Sequence, residues 1–160
     1  MDARIAEIRE VLAQNFEATN TLLGSLSPED LGRTAGNGWM VSQLAGHVAA
    51  APGGAVWLTS RLRRGRGATV PGFLSFIPAM RNWMQVRRLK QATPGELLAT
   101  AKGAYERLMA CVNTLKDEEL DRGGVMFGVG QQSVYQFLST GVSNHAEEHR
   151  AEIRSALGRA

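Results

Sequence analysis

The chain has 160 residues, 44% apolar and 21% charged, with one cysteine and a formal net charge of +3. That length and mix suit one globular domain over residues 1–160 with a core large enough to dispense with disulfides, which excludes disordered, collagenous and disulfide-framework classes. No apolar run approaches the ~20 residues of a membrane span, and Met1-Asp2-Ala3-Arg4 does not read as a signal peptide, so a cytoplasmic protein is expected.

The first predicted helix runs from about Asp2 to Leu23. Ile5, Ile8, Leu12, Phe16, Thr19 and Leu23 recur at three- and four-residue steps, which lays one apolar stripe along a helix. Asp2 suits the N-cap, Gly24 suits the stop, and Ser27-Pro28-Glu29-Asp30 follows as a turn. The second predicted helix spans Met40 to Leu62 on the stripe Met40, Leu44, His47, Ala51, Ala55, Leu58, Leu62. Pro52 inside it removes a backbone donor and predicts a kink.

A basic connection follows. Between Asp30 and Glu96 the sequence has no acidic residue, yet it holds Arg33, Arg61, Arg63, Arg64, Arg66, Arg81, Arg87, Arg88 and Lys90. That field fits a solvated surface or a site for an anionic ligand. Nucleic acid fits it poorly, because the aromatic interleaving of a base-stacking platform is sparse. The segment from Phe73 to Leu89 reads as a short helix or two pieces broken at Pro78. Phe73, Phe76, Ile77 and Trp83 in it would form an apolar patch suited to a homodimer.

The third predicted helix starts at Thr93-Pro94-Gly95-Glu96, a capping-box pattern with proline in the first turn. Its stripe is Leu97, Ala101, Ala104, Leu108, Cys111 and Leu115, on which Cys111 reads as a small core residue, with a further metal ligand as the alternative. Asp121 to Gly130, rich in glycine, is expected to be loop. The fourth predicted helix runs from Gln131 to Leu157 on Val134, Leu138, Val142, His145, His149, Ile153 and Leu157, and Gly158 ends it. No strand-like alternation is visible. The fold class is therefore all-α: a four-helix bundle, in up-down-down-up order if the long basic crossover joins helices two and three.

All three histidines of the chain, His47, His145 and His149, fall on these stripes. His145 and His149 are four apart, so on a helix they differ by ~40° and ~6 Å and their rings point the same way. Such a pair suits one metal ion at ~2.0–2.1 Å from each nitrogen, and a partner helix can bring His47 to it. Three imidazoles would hold a divalent ion and leave a position open for water or substrate. The competing reading satisfies the histidines with hydrogen bonds in a non-catalytic bundle whose basic surface takes an acidic partner or nucleic acid. Glu148 and Glu152 flank the pair, as acceptors for an imidazole N–H, as a base, or as rim residues paired with arginine; Glu148 ranks first as the catalytic carboxylate. His145-Ala146-Glu147-Glu148-His149 also spells the inverted zincin pattern, but that pattern takes a distant downstream carboxylate as its third ligand.

Gly38-Trp39-Met40-Val41-Ser42-Gln43-Leu44-Ala45-Gly46-His47-Val48 resembles the Trp-to-His segment of the DinB-like superfamily, the DinB/YfiT metalloenzymes. Asn144-His145-Ala146-Glu147-Glu148-His149-Arg150-Ala151-Glu152-Ile153-Arg154 is similar to that family's His-x-x-x-His-x-x-x-Ile-Arg ending. The resemblance departs at Met40, where the family has a helix-capping serine, and at Gln43, where it has an acidic residue. It implies a three-histidine site for a divalent metal, zinc or nickel. It also implies use of a low-molecular-weight thiol such as mycothiol or bacillithiol, in transfer to an electrophilic substrate or in isomerisation. An anionic thiol of that kind would be steered by the basic crossover.

Overall fold

Ile8, Leu12, Asn15, Thr19 and Leu23 face inward from the first helix, α1 (Ala3–Gly24), at steps of four, three, four and four. The structure is a computed structural model, and it describes residues 3–36, 38–67, 92–126 and 129–159. The buried stripe of α1 thus carries two polar residues, Asn15 and Thr19. Phe16, expected on the stripe, lies beside it, partly buried and stacked on Tyr105 with ring centroids 4.2 Å apart.

The turn expected after α1 closes into one turn of helix, α2 (Pro28–Leu31). Ser27 Oγ accepts from the Asp30 N–H at 3.1 Å, and Asp30 Oδ2 accepts from the Ser27 N–H at 3.0 Å. The Ser27 N–H, and then Arg159, hold the Asp30 carboxyl below the ordinary carboxylate value. A bridge between Thr34 and Met40, with Gly38 at φ +83°, turns the chain into the next helix. That φ is open to glycine and strained for other residues.

Helix α3 (Val41–Leu62) starts one residue later than expected and continues through Pro52 as a single helix. Gln43, standing where the resembled family has an acidic residue, still accepts the Met40 N–H at 2.8 Å. Helix α4 (Pro94–Val112) begins as expected. Thr93 Oγ1 accepts from the Glu96 N–H at 3.3 Å, and Glu96 accepts from the Thr93 N–H at 2.7 Å. A further helical turn, α5 (Asp117–Leu120), follows.

The loop expected from Asp121 to Gly130 is largely a hairpin. Strand β1 (Gly123–Met126) pairs antiparallel with β2 (Gly130–Ser133), Gly123 opposite Ser133 and Met126 opposite Gly130. Strands of four residues are too short to print an alternation, and glycine at three of their positions hides them further. Here the glycines are needed for space. A Cβ on Gly124 would collide with the Gly67 backbone, because residues 66 and 67 run directly against the strand. Gly124→Ala is expected to destabilise the fold by about 1–3 kcal/mol, the usual range for overpacking. A shift in the urea midpoint at unchanged slope is the measurement; an unchanged midpoint would show that the contact yields freely.

The fourth helix therefore starts later than Gln131. Ser133 caps α6 (Val134–Gln136), accepting from the Gln136 N–H at 3.1 Å. A π-helical turn over Phe137–Gly141 leads into α7 (Val142–Leu157), and Gly158 at φ +67° ends it as expected.

Helices α1 and α3 each pack against both α4 and α7. Ile8 and Leu12, Leu62, Leu108 and Val112, and Leu138 and Val142 share one core. Leu23, Leu44, Leu97, Ile153 and Leu157 share the other. Each fully buried leucine among them contributes about 2 kcal/mol of transfer free energy. Most of the basic crossover lies outside the described residues, as do the helix expected over 73–89 and the patch of Phe73, Phe76, Ile77 and Trp83. At its described start, Arg61 donates to the Gly67 carbonyl at 2.7 Å and Arg63 pairs with Glu119 at 3.0 Å. Among the described residues no helix is long and apolar enough to cross a membrane.

Candidate metal centre

Helix α3 carries His47 and α7 carries His145 and His149 on adjoining flanks, and the three side chains meet in the groove between those helices. Their candidate ligand nitrogens all lie within 4.8 Å of one another. The rings of His47 and His145 have centroids 5.1 Å apart, those of His47 and His149 4.8 Å, and those of His145 and His149 4.7 Å. Every pair of planes crosses at 84–86°. Trp39, packed on the second core, stands edge-on to His47 at 6.3 Å.

The convergence agrees with the spacing, but the face is not the one expected. The buried positions of α7 are Val142, Ala146, Arg150, Ile153 and Leu157. His145 and His149 lie on the shoulder of that stripe: His145 is exposed, while His149 and His47 are half-buried. The true stripe runs through Arg150, a charge that a count of apolar residues passes over. Arg150 is 5% exposed and donates to Asn15 Oδ1 at 2.6 Å, to Thr19 Oγ1 at 2.8 Å and to Glu147 at 3.0 Å. It is a clasp between α7 and α1 rather than a rim partner for Glu148 or Glu152.

The donor set fits a divalent ion. His47 Nε2 and His145 Nε2 are 2.9 Å apart. Two nitrogens that each lie ~2.0–2.1 Å from one ion are held about 3 Å from each other. His145 is exposed as a residue, yet its Nε2 is turned toward the other rings. Its imidazole is held below the ordinary value, first because the ring is partly withdrawn from water and then by repulsion from His149. Glu148 and Glu152 pull the other way. The net direction favours the neutral ring, which is the form that ligates a metal.

The carboxylates divide differently from the expectation. Glu152, ranked second in the sequence, reaches His149: its Oε2 lies 2.8 Å from Nδ1. The signal for this was the three-residue spacing, which puts the two side chains on one helix flank. Glu148 is exposed and bears on His145 through its charge. Cys111 is half-buried on α4 outside the trio, and burial pushes its thiol up. Among the described residues, no other trio of His, Cys, Asp or Glu converges in this way.

Comparison with known proteins bears on the family and the fold. A family model described as the DinB superfamily matches residues 11–153. No curated protein matches. Among solved structures, the chain is similar to YfiT from Bacillus subtilis, described as a probable metal-dependent hydrolase with an unusual four-helix bundle topology. The TM-score is 0.70 at 20% identity, over 100% of this chain and 91% of that one. It is also similar to a histidine-to-alanine mutant of the mycothiol-dependent maleylpyruvate isomerase. There the TM-score is 0.73 at 13% identity, over 96% of this chain and 63% of that one. At these identities the likeness is one of fold.

Proposed function

The chain belongs to the DinB superfamily, and from that premise we propose that it binds one divalent metal ion, zinc or nickel, through His47, His145 and His149. In this reading it uses a low-molecular-weight thiol of the mycothiol or bacillithiol kind, in transfer to an electrophilic substrate or in isomerisation. The observation that carries the metal is the trio of mutually perpendicular rings with donor nitrogens within 4.8 Å. The thiol is supported by the fold shared with a mycothiol-dependent isomerase. A divalent ion held there supplies a Lewis acid that makes a thiol beside it more acidic and so more nucleophilic near neutral pH.

The chain's own residues supply the rest. Three imidazoles turn ring nitrogens toward one point, and His145 is exposed, so a substrate can approach from that side. Glu148, exposed beside His145, takes the thiol proton as the sulfur approaches. The basic run from Arg61 to Lys90 draws in an anionic thiol. The same reading takes the protein as a single cytoplasmic domain over residues 1–160. It also takes the helices in up-down-down-up order. That order is supported by the two cores: one draws on the starts of α1 and α7 and the ends of α3 and α4, the other on the ends of α1 and α7 and the starts of α3 and α4.

Elemental analysis of the protein, purified without a histidine tag, tests the metal. One equivalent of zinc or nickel is expected, and its absence after incubation with either metal would end this reading. Consumption of the thiol with an electrophile tests the chemistry. Glu148→Gln is expected to slow that reaction by ~100-fold with the metal retained, the usual size of a general-base contribution. An unchanged rate would remove Glu148 from the reaction.

A further inference from the structure

The His149 ring has two nitrogens and, when neutral, one proton, so one nitrogen donates while the other offers a lone pair. Glu152 Oε2 sits 2.8 Å from Nδ1, one helical turn on. An ionised carboxylate only accepts, so this contact places the proton on Nδ1. That leaves the Nε2 lone pair for the interior of the trio. Glu147, the carboxylate on the other side of α7, is committed to Arg150 and Arg154. The two glutamates therefore serve opposite flanks of the helix, and of the two it is Glu152 that reaches a member of the trio.

We propose that Glu152 is the positioning residue of the centre: its carboxylate locks His149 in the Nδ1–H tautomer and turns the Nε2 lone pair toward the point shared with His47 and His145. The proposal rests on the metal reading above for its consequence, but its geometric content holds in the metal-free protein. The carboxylate also makes the imidazole a stronger donor to a cation, through the partial negative charge it lends the ring.

The test uses the full chain and two variants. Glu152→Gln keeps an acceptor oxygen and loses the charge; Glu152→Ala loses both. Glu152 is partly exposed, with a side chain 41% accessible, so both variants are expected to fold. In metal-free protein at pH about 8, above the ordinary histidine range, long-range nitrogen–proton NMR reads the tautomer directly. Wild type and Glu152→Gln should show His149 protonated on Nδ1, while Glu152→Ala should shift toward the Nε2-protonated form that predominates in free imidazole side chains. Zinc titration should then weaken by roughly 10- to 100-fold in Glu152→Ala and by less in Glu152→Gln, the range found when such outer partners are removed. A His149 tautomer unchanged in Glu152→Ala overturns the proposal. So does zinc bound by Glu152→Ala as tightly as by wild type. Wild type that binds no zinc at all overturns the metal reading instead, and the tautomer measurement still decides the role of Glu152.

Discussion

Replacing any one of His47, His145 and His149 with alanine is expected to weaken zinc binding by about 100-fold or more. Zinc sites with four protein ligands have apparent binding free energies of ~10–16 kcal/mol, which is about 2.5–4 kcal/mol for each ligand. Each 1.4 kcal/mol is about a factor of ten. The trio has three nitrogens within 4.8 Å, so removing one leaves a two-point site that cannot surround an ion. The substitutions should spare the fold. The rings lie half-buried or exposed on helix shoulders, outside both cores, and alanine is the strongest helix former.

A second readout follows from linkage. A ligand that binds only the folded state, at ~100 times its dissociation constant, adds about 2.7 kcal/mol of stability. For a chain of this size that raises Tm by roughly 5–10 °C. Zinc at that concentration should produce this rise in wild type and at most about 2 °C in the three variants, whose own metal-free Tm should stay near that of the metal-free wild type. If all three variants keep their metal and their zinc-induced rise, the ion is bound elsewhere. The competing picture of histidines serving as satisfied core groups predicts a different result: a lower metal-free Tm in each variant and no response to zinc in any of them.

Long helices were the legible part of the sequence. Over twenty residues the 3.6-residue period repeats enough to show itself, and the ends of α3, α4 and α7 fall within a few residues of where Met40, Thr93 and Gly158 place them. The hairpin was illegible because its strands are four residues long and lean on glycine backbones rather than on side-chain pattern. The π-turn was illegible too, since no residue type announces it. Beyond it the expected stripe is kept at Val142, Ile153 and Leu157, and between them the buried positions are Ala146 and Arg150. The count made from the sequence joins Val142 to Ile153 through His145 and His149 in steps of three, four and four, where the buried path runs through Ala146 and Arg150 in steps of four, four and three. The histidines could be chosen as a trio because a four-residue step keeps two side chains together on either flank. Their exposure could not be read, nor could the preference for Glu152 over Glu148, because Arg150 as a core residue contradicts the ordinary rule that charge faces water.

That buried arginine leads to the second large expected effect. Arg150→Ala should cost about 2–4 kcal/mol, since two buried polar side chains each lose a hydrogen bond to a charged group. A domain is stable by only ~5–15 kcal/mol, so this is a large share of the whole. The guanidinium spans from α7 to Asn15 Oδ1 at 2.6 Å, the Asn15 carbonyl at 3.2 Å and Thr19 Oγ1 at 2.8 Å on α1. Asn15 and Thr19 are 9% and 5% exposed, so water cannot readily replace what they lose. Arg154 provides the control. It shares Glu147 with Arg150 but is 37% accessible at its side chain, and Arg154→Ala should cost under ~1 kcal/mol as surface pairs do. Urea denaturation of the two variants measures the contrast, and equal costs would show that burial of the clasp adds nothing. Coupling between the sites is the sharper reading: with Arg150 already replaced, Asn15→Ala should cost far less than it does alone, because the partner it would have orphaned is gone. The clasp and the trio occupy neighbouring flanks of one helix. Loosening α7 from α1 should therefore also weaken zinc binding, even though Arg150 touches none of the three rings.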